Sequence, residues 1–445
     1  MQQSIIAQVE QLIAHITSAA HAALDEYQSS GVAIPHLASL QEHPLDAANS
    51  TIKLKQAIRL LEGACDQLCT TLAPPAHTLL NRVMAYDSVC VRAAIELRIA
   101  DYLLAHPAGA AHVDDIAHHV QVPSWKVKAI LAALAARNCF LQLNSDTYTN
   151  NRLSVLLSDR GMNKRDILQT FTTECRRGQN ELWPTLYGKD LAISDRPQES
   201  AFAHSARDLD SGQGVGLFDW LQRSPELFQR FNRGLVGWNE IVGSKCFLQA
   251  IPFESFPKGT RICELGAGLV GLDVIREHPH ICLILQDLPH VTEHAQSVWT
   301  KEALSVTTTV QFIPIDFLVE SPAPEIDVYM LRHVLHNWQD DDARRIVGNI
   351  ARVMGSTSRL YIQEFVLPDH DGTDDEGLQT APAPLLPGWG AGAVRKHAQN
   401  INMMCMLNAK ERTYRDFTKL GLVCGLRLVK IWDLGEESVV EFTRV

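Results

Sequence analysis

Residues 261–291, RICELGAGLVGLDVIREHPHICLILQDLPHV, decide the fold of this 445-residue chain. An apolar run opens the stretch, and a turn that contains Gly266 and Gly268 follows it. Residues 269–277 then have the spacing of an amphipathic helix, and a second apolar run ends at Asp287. This order predicts one half of a doubly wound sheet, in which the glycines let the backbone approach a ligand and the acid suits a ribose hydroxyl pair.

Strands and helices keep alternating after this stretch, as an α/β sheet requires. The last two apolar runs should close the sheet as an antiparallel pair. The further strands are predicted at residues 310–317, 327–335, 360–365, 422–432 and 439–443.

The N-terminal third has the pattern of helices followed by a small wing. Residues 1–80 predict helices around a polar, proline-containing stretch, and residues 83–104 predict a further helix rich in Ala, Ile and Leu. Two shorter helices and two short strands then predict a winged helix. The candidate recognition helix at 124–137 has few basic side chains, so we expect no contact with nucleic acid.

Net charge, apolar stretches and cysteine spacing indicate which binding partners and which cell compartment to expect. The net charge of −11 argues against a general nucleic-acid binder. No apolar stretch is long enough to span a bilayer, and the N-terminus has no signal-peptide pattern, so we expect a cytoplasmic protein with no membrane partner. The ten cysteines are scattered, and Cys65 and Cys69 lack a second pair, so we expect reduced thiols and no metal site.

The turn and the second strand together carry a family resemblance. A glycine turn that begins at Glu264, followed by Gln286-Asp287-Leu288-Pro289, resembles the plant- and fungal-type small-molecule O-methyltransferases, which use S-adenosylmethionine (SAM). The resemblance implies a class I methyltransferase fold, a Rossmann-like doubly wound sheet preceded by a helical dimerisation region with a winged helix. It implies SAM contacts at Glu264, Gly266, Gly268, Asp287, Asp316, Phe317 and Arg332.

The glycine turn is shorter than the family pattern. It matches Glu-Leu-Gly-Ala-Gly-Thr-Gly-Leu-Val-Gly with Thr-Gly removed, so the last glycine falls on Val270 or is displaced to Gly271. A tolerated deletion, a gene-model error or a relaxed requirement for SAM would each explain the difference. We expect SAM to bind weakly or in a shifted pose, because the Cβ atoms of Leu269 and Val270 would crowd it. Inserting Thr-Gly after Gly268 should then improve SAM affinity.

The strongest local signature is residues 331–340, LRHVLHNWQD, which start at the end of a buried strand. In the family, the histidine of His-Asp-Trp is the general base, and His336 matches it, with Asn337 in place of the aspartate. Two glutamates flank the family's base, and Glu364 and Glu411 match them. A carboxylate bonded to one imidazole nitrogen fixes the tautomer and leaves the other nitrogen able to accept a proton.

The resemblance also implies contacts with a small-molecule substrate. The family places a methionine against the substrate shortly before the second glutamate, and it roofs the pocket with helices from the middle of the chain. The methionine position matches Met403 and Met404, and the roof helices match the segment with Phe231 and Asn232. Trp338, in the string that contains His336, is a further expected substrate contact.

Three functions account for these features. The one we favour from the sequence is a non-methylating dehydratase or cyclase, such as a pericyclase, acting on a polyketide-derived small molecule. It explains an intact base beside a shortened donor turn. The alternative is a SAM-dependent O-methyltransferase that uses His336 as general base on a phenolic or enolic hydroxyl. A winged-helix regulator without catalysis would leave the residues of the base without a role.

The chain should divide into three regions. A helical dimerisation region with the winged helix is expected at 1–155, a helical substrate-pocket linker at 156–250 and the Rossmann-like catalytic domain at 251–445. Helices at 5–24 and 52–72 carry apolar stripes that a monomer would expose, so we expect a homodimer.

Overall fold

The structure is a computed structural model that describes residues 2–46, 50–207, 213–243, 245–266, 268, 270–302, 310–369 and 377–445. It contains two compact units, each of which is described by itself. The sheet unit comprises Met1–Ala23, Thr51–Leu68 and Ser244–Val445, and the helical unit comprises Leu24–Ser50 and Cys69–Gly243. The boundaries expected at 155 and 250 stay predictions.

The helices of the described residues are numbered in chain order. They are α1 Gln2–Ser29, α2 Ile52–Leu72, α3 Pro75–Val83, α4 Asp87–Glu96, α5 Ile99–Ala105, α6 Val113–Val120, α7 Ser124–Ala135, α8 Met162–Thr172, α9 Glu174–Asn180, α10 Leu182–Tyr187, α11 Lys189–Ala192, α12 Ala201–Ser205, α13 Leu217–Gln222, α14 Pro225–Val242, α15 Cys246–Ala250, α16 Val270–Glu277, α17 Pro289–Glu302, α18 Asp340–Val353, α19 Val394–Leu407 and α20 Tyr414–Val423.

The strands form three sheets in the described part of the chain. They are β1 Ala110–His112, β2 Leu141–Asn144, β3 Thr147–Thr149, β4 Arg261–Leu265, β5 Cys282–Asp287, β6 Val310–Pro314, β7 Val328–Arg332, β8 Arg359–Glu364, β9 Val366–Leu367, β10 Arg412–Thr413, β11 Leu426–Asp433 and β12 Ser438–Arg444.

The sheet unit is built on a seven-stranded sheet in the order β11-β12-β8-β7-β4-β5-β6. β4 to β8 are parallel, whereas β12 runs antiparallel to both β8 and β11. The chain winds outward from β4 in both directions, so a topological switch point lies between β4 and β7, where such sheets bind ligands. The predicted class I methyltransferase fold and the predicted antiparallel closing pair are confirmed. Two strand bounds were wrong, because residues 422–423 belong to α20 and the strand expected at 327–335 ends at Arg332.

Burial on both faces explains why the inner strands are continuously apolar. Ile262, Val328 and Tyr361 pack on one face, where α16 also contributes its apolar side. Cys263 and Tyr329 pack on the other face, against the apolar stripes of α18 and α20. Parallel strands covered on both faces have this composition, which is why the runs were recognisable in the sequence.

The helical unit contains the winged helix. Its small sheet has the order β1-β3-β2, and β2 and β3 form the predicted wing. The single helix expected at 83–104 is wrong: the segment is divided between α4 and α5, because Arg98 adopts a left-handed backbone conformation with φ +55° and interrupts the helix. The strand β1 was not predicted.

No helix among the described residues is long and apolar enough to cross a membrane.

Candidate active site

The carboxyl edge of the parallel strands gathers the predicted site residues of the sheet unit. Leu265, the last residue of β4, lies opposite Gln286 and Leu331, so β4, β5 and β7 end at one level. Asp287 lies opposite Pro314 at the end of β6, and Arg332 lies opposite Gln363 near the end of β8. The turn after β4 and the segment after β7 therefore meet at the switch point.

Glu364, the last residue of β8, fixes the turn that carries His336. Its carboxylate Oε1 accepts hydrogen bonds from the backbone N–H groups of Val334 at 3.1 Å, Leu335 at 2.9 Å and His336 at 3.4 Å. Three N–H groups on one buried oxygen satisfy backbone donors that would otherwise be unpaired at the start of this turn. Glu364 thus positions the backbone of His336 as well as flanking its ring.

Glu411 approaches the same nitrogen of the ring as Glu364 does. The short parallel pair of β9 and β10 places Arg412 opposite Val366, so Glu411 lies beside the segment that follows Glu364. His336 Nδ1 is 2.8 Å from Glu411 Oε1 and 3.4 Å from Glu364 Oε2. All three side chains are buried. We call His336, Glu364 and Glu411 the His336 cluster; the structure brings these three predicted catalytic residues together.

Two charges outweigh burial in setting the basicity of the imidazole. Burial by itself lowers the pKa of His336, but the carboxylates of Glu364 and Glu411 raise it to about 9. Burial is also the main cause that raises the pKa of Glu364, with Glu411 adding to it. The Oε2 atoms of both glutamates are buried and accept no hydrogen bond within the described part of the chain. The His336 cluster is therefore arranged to hold protons.

Residues around the His336 cluster keep it rigid. Arg412 donates from Nη1 to the carbonyl oxygen of Leu335 at 2.7 Å and from Nη2 to that of Trp338 at 2.8 Å. Asn400 of α19 accepts the backbone N–H of Glu411 at 3.0 Å through Oδ1. Satisfied polar contacts of this kind lock side chains in one geometry in a buried site.

His333 belongs to a second buried network. Its Nε2 is 2.5 Å from Glu437 Oε1, and Gln363 donates to the other oxygen of the same carboxylate. Although burial opposes it, the charges of His333 and Arg332 lower the pKa of Glu437 to about 2. This arrangement gives His333 a structural role, because it holds the buried carboxylate of Glu437.

The His336 cluster also has the spacing of a metal-ligand group. One donor atom from each of its residues lies within 4.8 Å of the others. Glu364 Oε1 is already committed to three backbone N–H groups, and the Nδ1 atom of His336 is hydrogen-bonded to Glu411. While Nδ1 of His336 carries the proton that it shares with Glu411, this nitrogen has no lone pair for a metal ion.

The turn between β4 and α16 is closed by Glu264. Its buried carboxylate accepts the backbone N–H of Gly271 at 3.0 Å through Oε2, and the backbone of Gly268 bonds to it too. Burial raises the pKa of Glu264 to about 7, although these bonds oppose the rise. Gly266 has φ +88°, and a Cβ there would lie 2.7 Å from the Val334 side chain. Gly266 must therefore be glycine.

Gly271 has a packing role that the sequence left open. A Cβ at this position would lie 2.4 Å from Glu264 Oε2 and 2.5 Å from Leu283 Cδ2. The short turn therefore brings the N-terminus of α16 directly against the carboxylate of Glu264 in β4. Gly271 supplies the close helix-to-strand packing for which dinucleotide-binding turns use their last glycine.

The expectation that Val270 would crowd the ligand is wrong. Val270 begins α16 in helical conformation, and its side chain is buried in the apolar cluster with Leu272 and Val274. The Cβ of Val270 therefore packs in the core and does not lie on the ligand side of the turn. The same expectation for Leu269 lies outside the described residues.

The other predicted SAM contacts lie on the same strand ends. Asp287 is half-buried and accepts the N–H of Leu288 at 2.7 Å. Asp316 follows β6, which ends earlier than expected, and Phe317 packs against the apolar cluster behind β7. The side chain of Arg332 is largely buried, 3.6 Å from Glu437. The edge therefore offers two carboxylates and one guanidinium around the glycine turn.

The predicted substrate contacts are divided between the two units. In the sheet unit, Trp338 is half-buried two residues after His336, while Met403 is buried and Met404 half-buried on α19. Phe231 and Asn232 lie half-buried on α14 of the helical unit. Their roles stay predictions.

Several residues of the site were missed in the sequence. Arg412 follows Glu411 directly, so its place next to a predicted site residue in the sequence could have marked it as part of the site. Glu437 lies just before β12, opposite the end of β8, and no spacing pattern marks such a contact across the chain. Asn400 lies eleven residues before Glu411, and only the fold shows that the side chain of Asn400 contacts the backbone of Glu411.

Comparison with known proteins supports what the geometry indicates. The O-methyltransferase domain family matches residues 198–427, and the O-methyltransferase dimerisation domain family matches residues 81–160. The chain is 32% identical over 441 residues to 3-O-methyltransferase 2 of Phanerochaete chrysosporium, covering 97% of this chain and 96% of that protein.

Solved structures share the fold at lower identity. A pericyclic reaction enzyme superposes with a TM-score of 0.69 and 19% identity, covering 88% of this chain and 95% of that one. OxaC, in complex with S-adenosylhomocysteine (SAH) and oxaline, superposes with a TM-score of 0.68 and 15% identity, covering 98% and 99%. The family matches and the identity to the Phanerochaete protein show that this chain belongs to the O-methyltransferase family and is an enzyme of the methyltransferase fold.

Proposed function

We propose that the protein is a SAM-dependent O-methyltransferase that methylates a phenolic or enolic hydroxyl of a small molecule, with His336 as the general base. The observation that carries this proposal is the His336 cluster at the carboxyl edge of the sheet. It lies beside a glycine turn in which Gly271 packs closely against Glu264 and Leu283. Sequence alone favoured the cyclase. Burial of Val270 in the core removes one of the two side chains that were expected to crowd SAM in the shortened turn.

The residues around the glycine turn fit SAM. The positive φ of Gly266 turns the backbone at the switch point, where a larger residue would strike Val334. Asp287 and Asp316 would hold hydroxyl and amino groups, and the guanidinium of Arg332 would hold a carboxylate. When bound there, SAM supplies the methyl group that the substrate oxygen accepts.

His336 is oriented to take the proton of the substrate hydroxyl. Its Nδ1–H donates to Glu411 Oε1, so Nε2 carries the lone pair that accepts the proton. The charges of Glu411 and Glu364 then stabilise the imidazolium, which is the physical meaning of the raised pKa of His336. Substrate contacts at Trp338, Met403 and Met404, and at Phe231 and Asn232, are part of the same proposal.

A methyl-transfer assay tests the proposal. The purified protein is incubated with SAM carrying a trideuterated methyl group and a panel of phenols and enolic polyketide mimics. Mass spectrometry should find products carrying the labelled methyl on oxygen, and His336→Ala should abolish them. A complete lack of labelled products, while SAM is shown to bind, would contradict methyl transfer.

A non-methylating dehydratase or cyclase is the second candidate. The glycine turn, which lacks the Thr-Gly pair of the family pattern, favours it, because such chemistry needs the shaped pocket and His336 but no methyl donor. Turnover of a polyketide-derived substrate at the same rate with and without SAM would favour the cyclase over methyl transfer.

We also propose that the protein is a homodimer. A domain family named for dimerisation matches residues 81–160, and apolar side chains are exposed on helices near the N-terminus, including Ile6 of α1 and Leu80 and Val83 of α3. Apolar surface of this kind marks protein interfaces. Sedimentation at micromolar concentration should show the dimer, and a stable monomer would contradict the proposal.

A further inference from the structure

A cavity of about 300 Å³ lies in the sheet unit, and its lining does not include the three residues of the His336 cluster. Its polar wall includes Arg59 of α2, Trp389, Lys396 of α19 and Asp433 of β11, and Asp369, Gln379 and Thr380 also line the cavity. Its apolar wall includes Val366, Leu378, Leu385 and Ala393. This volume is at the lower end of the range for ligand pockets, and an apolar wall with a few converging polar groups is their usual lining.

The polar wall of the cavity is rigidly built. The guanidinium of Arg59 forms a bidentate pair with Asp433, at 3.1 Å and 2.9 Å, and both side chains are almost fully buried. The same guanidinium lies 4.2 Å from the ring centroid of Trp389. Trp389 adopts φ +72° and donates from Nε1 to the carbonyl oxygen of Gln379 at 3.1 Å. A bulky residue in this conformation persists only where its surroundings fix it.

Lys396 has no carboxylate of its own in this wall. Its buried ammonium donates to the carbonyl oxygen of Val366 at 3.3 Å, which occupies one of its three N–H groups. Asp433, which also lines the cavity, is already paired with Arg59. Burial lowers the pKa of Lys396 to about 8; Asp433 opposes this and Arg59 adds to it.

Lys396 is the cation of this lining that forms no ion pair within the described residues. The lining holds two cations, Arg59 and Lys396, and two carboxylates, Asp433 and Asp369. Asp433 is paired with Arg59, and Asp369 accepts the backbone N–H of Arg415 and is not among the charges that act on Lys396. Arg59 Nε is buried without a hydrogen-bond acceptor in the described part of the chain. Of the acids whose charge reaches Lys396 from farther away, Glu437 is paired with His333 and Glu411 with His336. A buried cation is costly unless an anion accompanies it, so the cavity favours an anionic occupant.

We propose that this cavity is a binding site for a small organic carboxylate, with the ammonium of Lys396 as the donor to the carboxylate and the apolar wall as the surface for its hydrocarbon part. The site is assigned from the cavity, its charges and its uncommitted donors. It does not depend on whether the His336 cluster catalyses methyl transfer.

Isothermal titration calorimetry with benzoate and benzamide tests the site without SAM or substrate. The two probes have nearly the same shape, and only benzoate carries a charge. The wild-type protein should bind benzoate more tightly than benzamide. Lys396→Met, which keeps the length of the side chain, should weaken benzoate binding by at least about tenfold, because one charge-assisted hydrogen bond is lost, and should leave benzamide unchanged.

Two variants serve as controls. Lys396→Arg keeps the positive charge and should retain the preference for benzoate. Lys419→Met removes the same charge from an exposed position on α20 and should bind both probes as the wild type does.

Three results would overturn the site: no benzoate binding at millimolar concentration, equal benzoate affinity in Lys396→Met and wild type, or an equal loss in Lys419→Met. If circular dichroism shows that Lys396→Met does not fold, the preference for benzoate over benzamide in the wild type and in Lys396→Arg decides. No such preference in either protein would then overturn the site. Because no turnover is measured, failure here leaves the proposed function untouched, and failure of methyl transfer leaves this site untouched.

Discussion

The His336 cluster and the turn between β4 and α16 lie at the same edge of one sheet, but they are held in different ways. The cluster is assembled from three distant segments by charge-paired contacts, with His336, Glu364 and Glu411 each fixed by a second partner. The turn is held locally, because the carboxylate of Glu264 accepts the backbone N–H groups of Gly271 and Gly268 and the N–H of Gly266 donates to the carbonyl oxygen of Gln286. The comparison teaches that the base and the donor turn rest on different carboxylates and meet where Gly266 lies against the side chain of Val334, whose N–H donates to Glu364.

Removing the base should have the largest effect. We expect His336→Ala to slow turnover by roughly a hundred- to ten-thousand-fold, which is the range for loss of a general base. The melting temperature should change little, because the carboxylates can take up protons. Single-turnover kinetics and circular dichroism measure the two quantities.

His294→Ala, an exposed histidine on α17, is the matched control and should keep wild-type rates. Near-normal turnover of His336→Ala would mean that pocket shape and other polar groups carry the reaction.

Crowding the donor turn should have the next largest effect. Gly271→Ala places a Cβ 2.4 Å from Glu264 Oε2 and 2.5 Å from Leu283 Cδ2. We expect the free energy of unfolding to fall by about 1–3 kcal/mol, as for overpacked cores, and SAM affinity to fall with it. Chemical denaturation and SAM titration measure the two losses.

Gly348→Ala on α18 is the control, because a Cβ there meets nothing within 4 Å. It should leave SAM affinity unchanged and raise the free energy of unfolding by up to about 1 kcal/mol, since alanine is the better helix former. Equal behaviour of the two variants would show that Gly271 is not packed as described.

The dependence of turnover on pH tests the electrostatics of the His336 cluster. The pKa of His336 is raised to about 9, so the imidazole is mostly protonated at neutral pH and turnover should rise with pH toward that value. Glu411→Gln removes one stabilising charge from the imidazolium. The rising limb should therefore move to lower pH by about one unit or more, with a lower maximum rate.

Rate profiles of the wild type and Glu411→Gln between pH 6 and pH 10 measure the shift. Glu293→Gln, an exposed change on α17, should leave the limb in place. An unmoved limb in Glu411→Gln would contradict the role of this carboxylate.

The sequence predicted the sheet and the His336 cluster because their signals are local or carried by a family motif. Buried parallel strands are continuous apolar runs, and His336, Glu364 and Glu411 each lie in a recognisable string. The division of residues 83–104 was missed because nothing in the composition shows that Arg98 adopts a positive φ.

Contacts across the chain were beyond prediction for another reason. Lys396 and Arg59 lie far apart in sequence and meet only because α2 packs in the same unit as α19. Glu437 reaches His333 only through the antiparallel register of β12. The role of Gly271 was missed because its close approach to Glu264 and Leu283 brings α16 onto β4 and β5, a contact that sequence spacing does not show.

Titration with SAM of the unmodified protein and of a variant with Thr-Gly inserted after Gly268 tests the central claim most directly. If Gly271 already supplies the missing packing position, the unmodified protein should bind SAM saturably, and the insertion should bring no gain, because it moves Gly271 away from Glu264. No detectable binding by the unmodified protein, with binding restored by the insertion, would contradict the account and return the SAM-independent cyclase to first place.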